Sequence, residues 1–505
     1  MQPEYIFETS WEVCNRVGGI YAVLSTRAAS MQAEHKDKVS FFGPDFGDHS
    51  NLTFKESKSL LKGWRPKGVR VGRWQVPGKP IAVLLKWDEV WAQKDAIYAH
   101  AWEKYGVQSH AAYGDYDESN MFAYAVGQLA ESLYNHLGQP TTAMHCNEWQ
   151  TAFTILYLKE HCPKIATLFT THATGIGRSI AGNYKPLYDC FHAFNGDQMA
   201  QELNMVSKHS VEKTAAHQAD CFTTVSDLTA RECAQLLDKP VDIVTPNGFE
   251  QGFVPQGKEF DTARKRARNT LISLARAKGI DAKGTDMLIG TAGRYEWKNK
   301  GIDVFIESLT RLGENFQQRS GLTAQGGLTS NSASGLKQVI AFVMIPYLDR
   351  QDFTVGNVHV IFVPTYLNGN DGVLNLPYYD LLIGLDLTVF PSYYEPWGYT
   401  PLESMAFHVP TITTSLSGYG VWCEEQGCTT IDKGVAVIYR NDSNTDDVIN
   451  HIVNTIEYYL SLTPRKVAAA RKAAVDLALQ AEWKNFFTYY REAYAIALKK
   501  AAARQ

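Results

Sequence analysis

Short apolar runs alternate along the chain with longer segments in which apolar residues recur at helical spacing. The apolar runs are rich in β-branched and aromatic residues, and most end at a glycine, a proline, a histidine or a small polar residue. This pattern predicts buried parallel strands that end in loops able to carry ligand-binding residues. The predicted strands begin at Val39, Ile81, Ala166, Cys221, Asp242, Met287, Val339, Val358, Leu387 and Thr411.

Helical patterns between these strands cover residues 117–135, 147–161 and 300–312. The alternation predicts an α/β protein with parallel sheets, and the number of strands is too large for one sheet. The Pro-Asn-Gly turn at 246–248 is the best boundary, which gives domains 1–246 and 247–480 and a C-terminal helix at 481–505. Residues 315–338 are rich in Gly, Ser, Thr and Gln, which predicts a flexible surface loop.

Composition and charge narrow the class of protein. A hydrophobic content of 45% over 505 residues predicts globular domains and excludes wholesale disorder. The net charge of -4, without a strong basic stripe, argues against nucleic acid as a partner. No apolar run approaches a membrane span and the N-terminus does not resemble a signal peptide, so we expect a cytoplasmic protein that does not bind membranes.

The segment from Pro391 to Glu403 is the most informative for chemistry. A strand is predicted to end near Phe390, and Pro401 suits the first turn of a helix. The amides at the start of such a helix, together with its dipole, favour phosphate. Two acids could bind sugar or ribose hydroxyls beside it. The candidate residues of this segment are Glu395, Trp397, Gly398, Tyr399, Thr400 and Glu403.

Two cations follow the strand that ends near Ala292. Arg294 and Lys300 both leave the end of that strand, where they could neutralise a diphosphate leaving group without a metal. A surface charge cluster is the alternative explanation.

A second group of candidates lies in the N-terminal half. The loop Asn-Arg-Val-Gly-Gly places Arg16, Gly18 and Gly19 before a helix, where paired glycines allow close approach to phosphate or sugar. His172 and Arg178 follow a predicted strand and could contact a sugar hydroxyl and a leaving phosphate, although a lone histidine is more often structural. The remaining polar candidates are Glu148 and Asn247.

A bound metal is not expected. Asp115 and Asp117 match the D-x-D pattern of metal-dependent transferases, but they precede a strong helix and are better explained as caps. Cys423 and Cys428 lack a histidine at ligand spacing, and no cysteine pair has C-x-x-C spacing, so we expect reduced cytosolic thiols.

Taken together, these segments resemble glycogen synthases of the fungal and animal type. The similarity follows the chain in order through residues 8–21, 145–149, 171–178, 212–217, 222–226, 244–248, 293–301, 390–403 and 415–420. The resemblance implies the GT-B fold, in which two Rossmann-like domains face a cleft and a C-terminal helix crosses back to the first. It implies an acceptor-side domain at 1–246, a nucleotide-sugar domain at 247–480, and retaining transfer of glucose from UDP-glucose to the 4-hydroxyl of a glycogen or malto-oligosaccharide end.

The resemblance also implies roles for individual residues. Arg294 and Lys300 match the diphosphate-binding pair, and Arg178 matches a further active-site arginine. His172 matches a residue near the donor sugar. Glu395 and Glu403 match the two acids of the E-x7-E pattern, and Tyr378 lies where the family places an aromatic that stacks on the nucleobase, although its surroundings match loosely. No cofactor or metal is implied beyond the donor substrate.

The chain also departs from the family. It is shorter, and its C-terminal basic residues Arg465, Lys466, Arg471 and Lys472 are a sparse set where the family has a dense arginine cluster that senses sugar phosphate. We therefore expect no activation by glucose 6-phosphate. The stretch after Pro346 is short where longer members carry an insertion used in assembly, so a homo-oligomer is possible but the tetramer is not assured.

Three alternatives stay open on sequence alone. The first is a related retaining GT-B transferase with another donor or acceptor, such as ADP-glucose or a sucrose- or trehalose-type reaction. The second is a catalytically silent glucan-binding homologue, against which the intact set of Arg294, Lys300 and Glu395 argues. The third is a nicotinamide oxidoreductase, which the missing G-x-G-x-x-G fingerprint disfavours.

Overall fold

The computed structural model describes residues 2–47, 53–325 and 338–504. The chain forms two compact units, one of Met1–Glu250 with Glu482–Gln505 and one of Gln251–Ala481. No helix within the described ranges is long and apolar enough to cross a bilayer.

The first unit contains a nine-stranded sheet in the order β3-β4-β5-β2-β1-β6-β7-β8-β9. Its core strands are parallel, and the antiparallel pairs are those that β4 forms with β3 and β5. The strands are β1 (Tyr5–Thr9), β2 (Val39–Pro44), β3 (Phe54–Glu56), β4 (Val69–Trp74), β5 (Ile81–Leu85), β6 (Thr142–Asn147), β7 (Ala166–Thr171), β8 (Cys221–Thr224) and β9 (Ile243–Val244).

Ten helices accompany this sheet among the described residues. They are α1 (Gly19–His35), α2 (Asp88–Trp91), α3 (Lys94–Tyr105), α4 (Tyr116–His136), α5 (Ala152–His161), α6 (Gly175–Gly182), α7 (Gly196–Glu202), α8 (Val206–Gln218), α9 (Asp227–Leu236) and, from the C-terminus, α17 (Trp483–Ala502). Helix α17 packs on β7 and β8 and also contacts α1, and it buries Trp483, Tyr490 and Tyr494 against the sheet. Because these aromatic rings bury large apolar areas, the last helix is an integral part of the first unit.

The second unit contains a seven-stranded sheet in the order β12-β13-β11-β10-β14-β15-β16. All neighbouring pairs are parallel except β12 with β13. The strands are β10 (Met287–Ala292), β11 (Val339–Met344), β12 (Phe353–Val355), β13 (Val358–Phe362), β14 (Leu387–Val389), β15 (Thr411–Thr414) and β16 (Val435–Ile438). The helices are α10 (Lys258–Ala277), α11 (Ile302–Gln325), α12 (Tyr378–Leu382), α13 (Tyr399–Ala406), α14 (Gly418–Glu425), α15 (Thr445–Ser461) and α16 (Pro464–Ala478).

Three predicted boundaries were wrong. Residues 315–325, predicted as a loop, belong to α11. Despite the polar composition, Phe316 extends the buried face that Leu309 and Leu312 form earlier in this helix. Residues 326–337 of that prediction lie outside the described part. The predicted helix at 147–161 begins only at Ala152, since Asn147 ends β6. The alanine-rich pattern over residues 465–502 predicts one long helix, but the structure divides it into α16 and α17.

Candidate active site

The two loops that carry the acidic and basic candidates of the second unit are joined by backbone hydrogen bonds. They follow β10 and β14, which are neighbours in the sheet, so both loops leave the same carboxyl edge. The carbonyl of Asn299 accepts from the amides of Tyr393 at 2.9 Å and Tyr394 at 3.1 Å. The loop that carries Lys300 therefore fixes the loop that carries Glu395.

Lys300 and Glu395 form an ion pair, in which the Lys300 ammonium donates to Oε2 of Glu395. Their side chains are only 19% and 13% exposed, so water screens the pair less than it would at an open surface. The hydroxyl of Ser392 donates to the same oxygen at 3.4 Å. Arg294, by contrast, is 55% exposed and pairs with Glu296 at 2.8 Å. The structure thus brings Lys300 and Glu395 together and pairs Arg294 with an acid of its own loop.

Two glycines allow the close packing of these loops. Gly301 has φ +65°, and a Cβ atom there would lie 1.9 Å from the carbonyl oxygen of Pro391. Gly398 has φ +111°, and a Cβ atom there would lie 2.6 Å from Oγ of Ser417. Both positions require glycine, because the left-handed backbone and the close approach exclude a side chain.

Gly398 is the N-cap of α13, and Tyr399 and Thr400 form its first turn. The first amides of a helix have no acceptor within it, and Pro401 removes one such donor. The remaining amides and the helix dipole make this end suited to an anion. Trp397 is only 4% exposed, and its carbonyl accepts from Tyr419 N at 2.6 Å, so this predicted substrate contact lies in the core.

Glu403 lies one turn into α13 and is 7% exposed. The hydroxyl of Tyr379 donates to Oε1 of Glu403 at 2.6 Å. The neighbouring Tyr378 has a buried hydroxyl without a hydrogen-bond partner among the described residues. Burial, and then the nearby Glu403 carboxyl group, hold the pKa of Tyr378 well above its usual value. The structure therefore places Tyr378 beside Glu403 and adds Tyr379, which the sequence did not single out.

If Glu403 binds the nucleotide sugar, as the resemblance implies, Tyr379→Phe is expected to weaken donor binding about tenfold, because it removes a hydrogen bond to Glu403 and frees this side chain to rotate. The measurement is the dissociation constant of the nucleotide by calorimetry, with KM and kcat of the donor alongside. Tyr378→Phe is the matched control, since its hydroxyl lacks a partner among the described residues and its ring remains. Equal affinities for the two variants would contradict the positioning of Glu403 by Tyr379.

In the first unit, His172 is held in one tautomer. The amide nitrogen of Asn147 donates to Oε1 of Glu8 at 3.0 Å and to the carbonyl of Thr9 at 3.1 Å. Its oxygen must then face Nε2 of His172, 3.0 Å away, so that nitrogen carries the proton. Burial, with a smaller contribution from the charge of Arg27, lowers the pKa of His172 to about 3. His172 is thus neutral, and Nδ1 remains as an acceptor for a hydroxyl group.

Three acids, of which Glu212 and Glu232 are buried and Glu148 is half-buried, surround the loop from Thr171 to Arg178. Glu148 has φ +68° and accepts from the amide of His172 at 2.7 Å. Glu212 accepts from the amide of Gly175 at 2.9 Å, and Glu232 accepts from the hydroxyl of Thr174, the N-cap of α6, at 2.7 Å. The charge of Arg178 stabilises the ionised forms of Glu148 and Glu212. Sequence reasoning selected Glu148 and Arg178 but assigned no role to Glu212 or Glu232.

Burial, and then the charge of Glu212, raise the pKa of Glu148 to about 8. Burial, with a smaller contribution from the charge of Glu232, raises the pKa of Glu212 to about 7. The folded state therefore keeps a proton that an unfolded carboxyl group has released, and stability falls as the pH rises through this range. Between pH 7.0 and 8.5 we expect the free energy of unfolding to fall by about 1–2 kcal/mol. Glu148→Gln should flatten this slope in urea denaturation at the two pH values, and a slope equal to that of the wild type would contradict the protonated pair.

At the predicted glycine loop, a carboxylate of the protein itself occupies the position expected for a bound anion. Oε2 of Glu12 accepts from the amides of Gly18 at 2.7 Å and Tyr21 at 2.8 Å, at the start of α1. The Gly18 amide expected to approach a ligand is thus bound to a carboxylate of the protein. Gly19 is open, with no atom within 4 Å of an added Cβ, and Arg16 is exposed beside the ring of Tyr21.

Asn247 is 3% exposed, and its Oδ1 has no hydrogen-bond partner within the part of the chain that the structure describes. A buried amide oxygen in this state costs free energy, which favours a polar ligand as its partner. Asn247 is therefore retained as a candidate for substrate binding.

The D-x-D acids bind lysines. Asp115 is the N-cap residue of α4, but its side chain makes no capping bond and instead accepts from Lys208 at 2.7 Å. Asp117 accepts from Lys94 at 2.9 Å and from Tyr98 at 2.8 Å. The predicted side-chain cap was therefore wrong, because the lysines compete for the carboxylates. Within the described ranges, no three His, Cys, Asp or Glu side chains are grouped as a metal site requires.

Comparisons with known proteins identify the family and the fold. The family model described as "Glycogen synthase" matches residues 8–357 and 347–505. Among curated proteins, a glycogen [starch] synthase of Neurospora crassa is 26% identical, with 98% of this chain and 84% of the relative covered. The liver glycogen [starch] synthase of Homo sapiens gives the same identity and coverage.

Two solved structures of low sequence identity share the fold. The catalytic domain of starch synthase IV from Arabidopsis thaliana, bound to ADP and acarbose, superposes with a TM-score of 0.62 at 14% identity and covers 98% of this chain and 99% of its own. A structure described as "Trehalose-6-phosphate from E. coli bound with UDP-2-fluoro glucose" superposes with a TM-score of 0.52 at 11% identity. It covers 98% of this chain and 99% of its own. The two parallel-rich sheets are those of the GT-B class, and the chain belongs to the glycogen synthase family of glycosyltransferases.

Proposed function

We propose that this enzyme transfers glucose from UDP-glucose to the 4-hydroxyl at the non-reducing end of an α-1,4-glucan, with retention at the anomeric carbon. The observation that carries the proposal is the Lys300–Glu395 ion pair, which stands on the same loop system as the open start of α13. The family membership gives the glucan and the nucleotide sugar as the substrate classes.

The second unit supplies the groups for the donor nucleotide. Lys300 and Arg294 neutralise the diphosphate, and the amides of Gly398, Tyr399 and Thr400 bind its oxygens. Glu403, oriented by Tyr379, accepts from a ribose hydroxyl, and the ring of Tyr378 stacks on the base.

The first unit supplies groups for the sugars. Nδ1 of His172 can accept from a sugar hydroxyl, and the guanidinium of Arg178 can bind a phosphate oxygen. Gly19, Arg16 and Asn247 contact substrate. The amide of Gly18 stabilises the glycine loop through its hydrogen bond to Glu12, and Glu148 fixes the backbone at His172 by accepting from its amide.

The chemical step needs no covalent enzyme intermediate. The acceptor O4 attacks the anomeric carbon on the face from which the diphosphate departs, so the new C1–O4 bond forms as the C1–O phosphate bond breaks. The departing phosphate oxygen takes the proton of the acceptor hydroxyl. The protein contributes position and positive charge, and no metal is required in this scheme.

Nucleotide release with UDP-glucose and with ADP-glucose, each with and without glycogen and with EDTA, tests the proposal. We expect release that depends on glycogen, prefers UDP-glucose and survives EDTA, and NMR should show a new α-1,4 linkage. Release with ADP-glucose alone, or with a trehalose- or sucrose-type acceptor, would select the related transferases. Glycogen binding without any release would indicate a silent homologue.

We also propose a cytoplasmic location, which the free state of all eight cysteines supports. The proposed partners are the nucleotide sugar and the glucan, with a homo-oligomer possible. The proposal that glucose 6-phosphate does not activate the enzyme gains support from Arg471, whose guanidinium is within hydrogen-bond distance of the Leu385 carbonyl, at 3.4 Å, instead of projecting as a free basic group.

A further inference from the structure

Two cysteines lie beside each other where α14 ends. The amide of Cys428 donates to the carbonyl of Cys423 at 2.9 Å, and the amide of Gly427 donates to the carbonyl of Glu424 at 2.8 Å. Gly427 has φ +68°, so these bonds form a Schellman motif with its left-handed residue just past the helix. In this motif the residues joined by the outer hydrogen bond commonly pack their side chains together. The motif therefore brings the Cys423 and Cys428 side chains together.

The backbone geometry of this motif suits a disulfide. Since the Cys423 carbonyl oxygen and the Cys428 amide nitrogen are 2.9 Å apart, standard bond lengths keep the two Cα atoms within about 6.8 Å of each other. A disulfide spans Cα separations of about 4.4–6.8 Å. Both cysteines are free in the structure, and the Cys428 thiol faces the Gln426 carbonyl at 3.6 Å. A rotation of the Cys428 side chain toward Cys423 is therefore the movement that a disulfide requires.

The two thiols differ in their access to solvent. Cys423 is buried, whereas Cys428 is half-buried. Burial raises the pKa of the Cys423 thiol, a hydrogen bond to Tyr419 opposes this shift, and a charge on Cys428 adds to it. Since the thiolate is the nucleophile in disulfide exchange, Cys428 is the thiol that reacts first with an oxidant in solution. Cys423 is then the resolving thiol.

Helix α14 is joined to the loop that carries Glu395. At the start of the helix, the amide of Gly418 donates to the carbonyl of Glu395 at 3.0 Å, and the amide of Tyr419 donates to the carbonyl of Trp397 at 2.6 Å. The ring of Tyr419 also packs edge-on against the ring of Trp397, with centroids 5.8 Å apart. Because the Tyr419 side chain is hydrogen-bonded to Cys423, it connects the thiol pair with the Glu395 loop.

We propose that Cys423 and Cys428 form a reversible disulfide with glutathione disulfide as the oxidant, and that this bond lowers turnover by withdrawing the Cys423 sulfur from Tyr419. The Cys428 thiolate attacks one sulfur of glutathione disulfide, and a glutathione thiolate leaves. The Cys423 thiolate then attacks the Cys428 sulfur, the mixed disulfide breaks, and the second glutathione leaves. The two thiol protons of the protein pass to the two glutathione molecules, so one disulfide is reduced as another forms.

The expected effect on turnover follows from the support that Tyr419 gives to the Glu395 loop. Oxidation removes a hydrogen bond from a buried hydroxyl group, and a loss of this size corresponds to a decrease of about two- to tenfold in kcat. Disulfides in cytosolic proteins are usually transient and redox-sensing, and partly exposed ones are the easiest to reduce. The thiol chemistry is independent of the substrates, and only the turnover measurement rests on the proposed function.

The test uses the Cys190→Ser chain as its starting point, because Cys190 is exposed and would react on its own. Cys428→Ser and Cys423→Ser are each added to this chain, and all three proteins are incubated with glutathione disulfide. Peptide mass spectrometry after alkylation distinguishes the linked pair from a glutathione adduct. Nucleotide release from UDP-glucose with glycogen is measured before oxidation, after it and after dithiothreitol. Thermal unfolding of the reduced proteins checks that each variant is folded.

We expect the Cys190→Ser chain to form the link between Cys423 and Cys428, to lose about two- to tenfold in kcat and to recover with dithiothreitol. With Cys428→Ser added, no link forms and kcat does not respond to glutathione disulfide. With Cys423→Ser added, the reaction stops at a glutathione adduct on Cys428.

Two outcomes would overturn the proposal. The first is a folded Cys190→Ser chain in which Cys428 stays free or carries only a glutathione adduct, since the pair then forms no disulfide. The second is a fully linked chain with unchanged kcat, since the thiol pair then does not act on the Glu395 loop. A failure of the proposed function is distinguishable, because mass spectrometry reports the link even in a chain that releases no nucleotide.

Discussion

Glu395→Gln is expected to lower kcat by about two to three orders of magnitude with little change in stability. The substitution keeps the shape of the side chain and removes its charge. The Lys300 ammonium, only 19% exposed, then loses the carboxylate that holds it. A cation that is displaced no longer stabilises charge developing on the departing phosphate, and that stabilisation is often the largest single contribution to catalysis.

The double variant Lys300→Met with Glu395→Gln tests whether the two residues act together. Residues that act as a unit show non-additive losses, so the double variant should be no slower than the slower single variant. Turnover is measured by nucleotide release at saturating donor and acceptor. Glu424→Gln, an exposed acid on α14, is the control and should retain activity. A kcat near that of the wild type for Glu395→Gln would reject this assignment of the site.

Most of the strands that the sequence predicted are buried on both faces. Every residue of β10 is buried, and the run of apolar side chains reveals it because helices cover both faces of a parallel sheet. Two central strands with buried polar side chains, β1 and β6, were missed. The strand β1 carries Glu8 and Thr9, and β6 carries His145 and Asn147, all of them buried. These charged, imidazole and amide groups shorten the apolar run, and partners from other parts of the chain satisfy them.

The predictable part of the candidate site lies within a single segment of the chain, residues 395–403. Gly398, Pro401 and the two acids at 395 and 403 indicated a helix start beside carboxylates without any knowledge of the fold. The partners of these groups were not predictable. Tyr379 is 24 residues from Glu403, and Glu212 is 37 residues from Gly175. Spacing within a segment predicts local structure, but only the order of strands determines which segments meet.

At the glycine loop the sequence correctly indicated an anion, but it did not identify that anion as a side chain of the protein. Paired glycines before a helix favour an anion, and the structure does place one there, but that anion is the carboxylate of Glu12. Glu12 lies only six residues before Gly18, so the signal was present in the sequence. It was missed because an acid near a helix start can bind a ligand, remain solvated or cap the helix, and sequence alone does not distinguish these states.

The buried ion pair between Arg27 and Glu8 gives the second prediction. Neither residue is exposed, and Glu8 also accepts from Asn147, so the pair supports the residue that fixes His172. The Arg27 guanidinium lies 4.3 Å from the ring centroid of Tyr490, which joins the pair to α17. Burial opposes the charge of Arg27, but the Glu8 carboxylate outweighs it and keeps the pKa of Arg27 above its usual value.

Arg27→Met is expected to lower the free energy of unfolding of the first unit by about 3–5 kcal/mol, because it leaves the Glu8 carboxylate buried without its cation. Arg491→Met is the matched control, since Arg491 follows Tyr490 on the same helix and pairs with Glu34 of α1 at 2.7 Å near the surface. An exposed pair of this kind contributes about 0–1 kcal/mol. Urea denaturation of the two variants measures the difference. Equal losses would show that Arg27 acts only as one more link between α1 and α17, whereas a large loss confined to Arg27→Met would show that the buried charge pair holds β1, β6 and the C-terminal helix in one core.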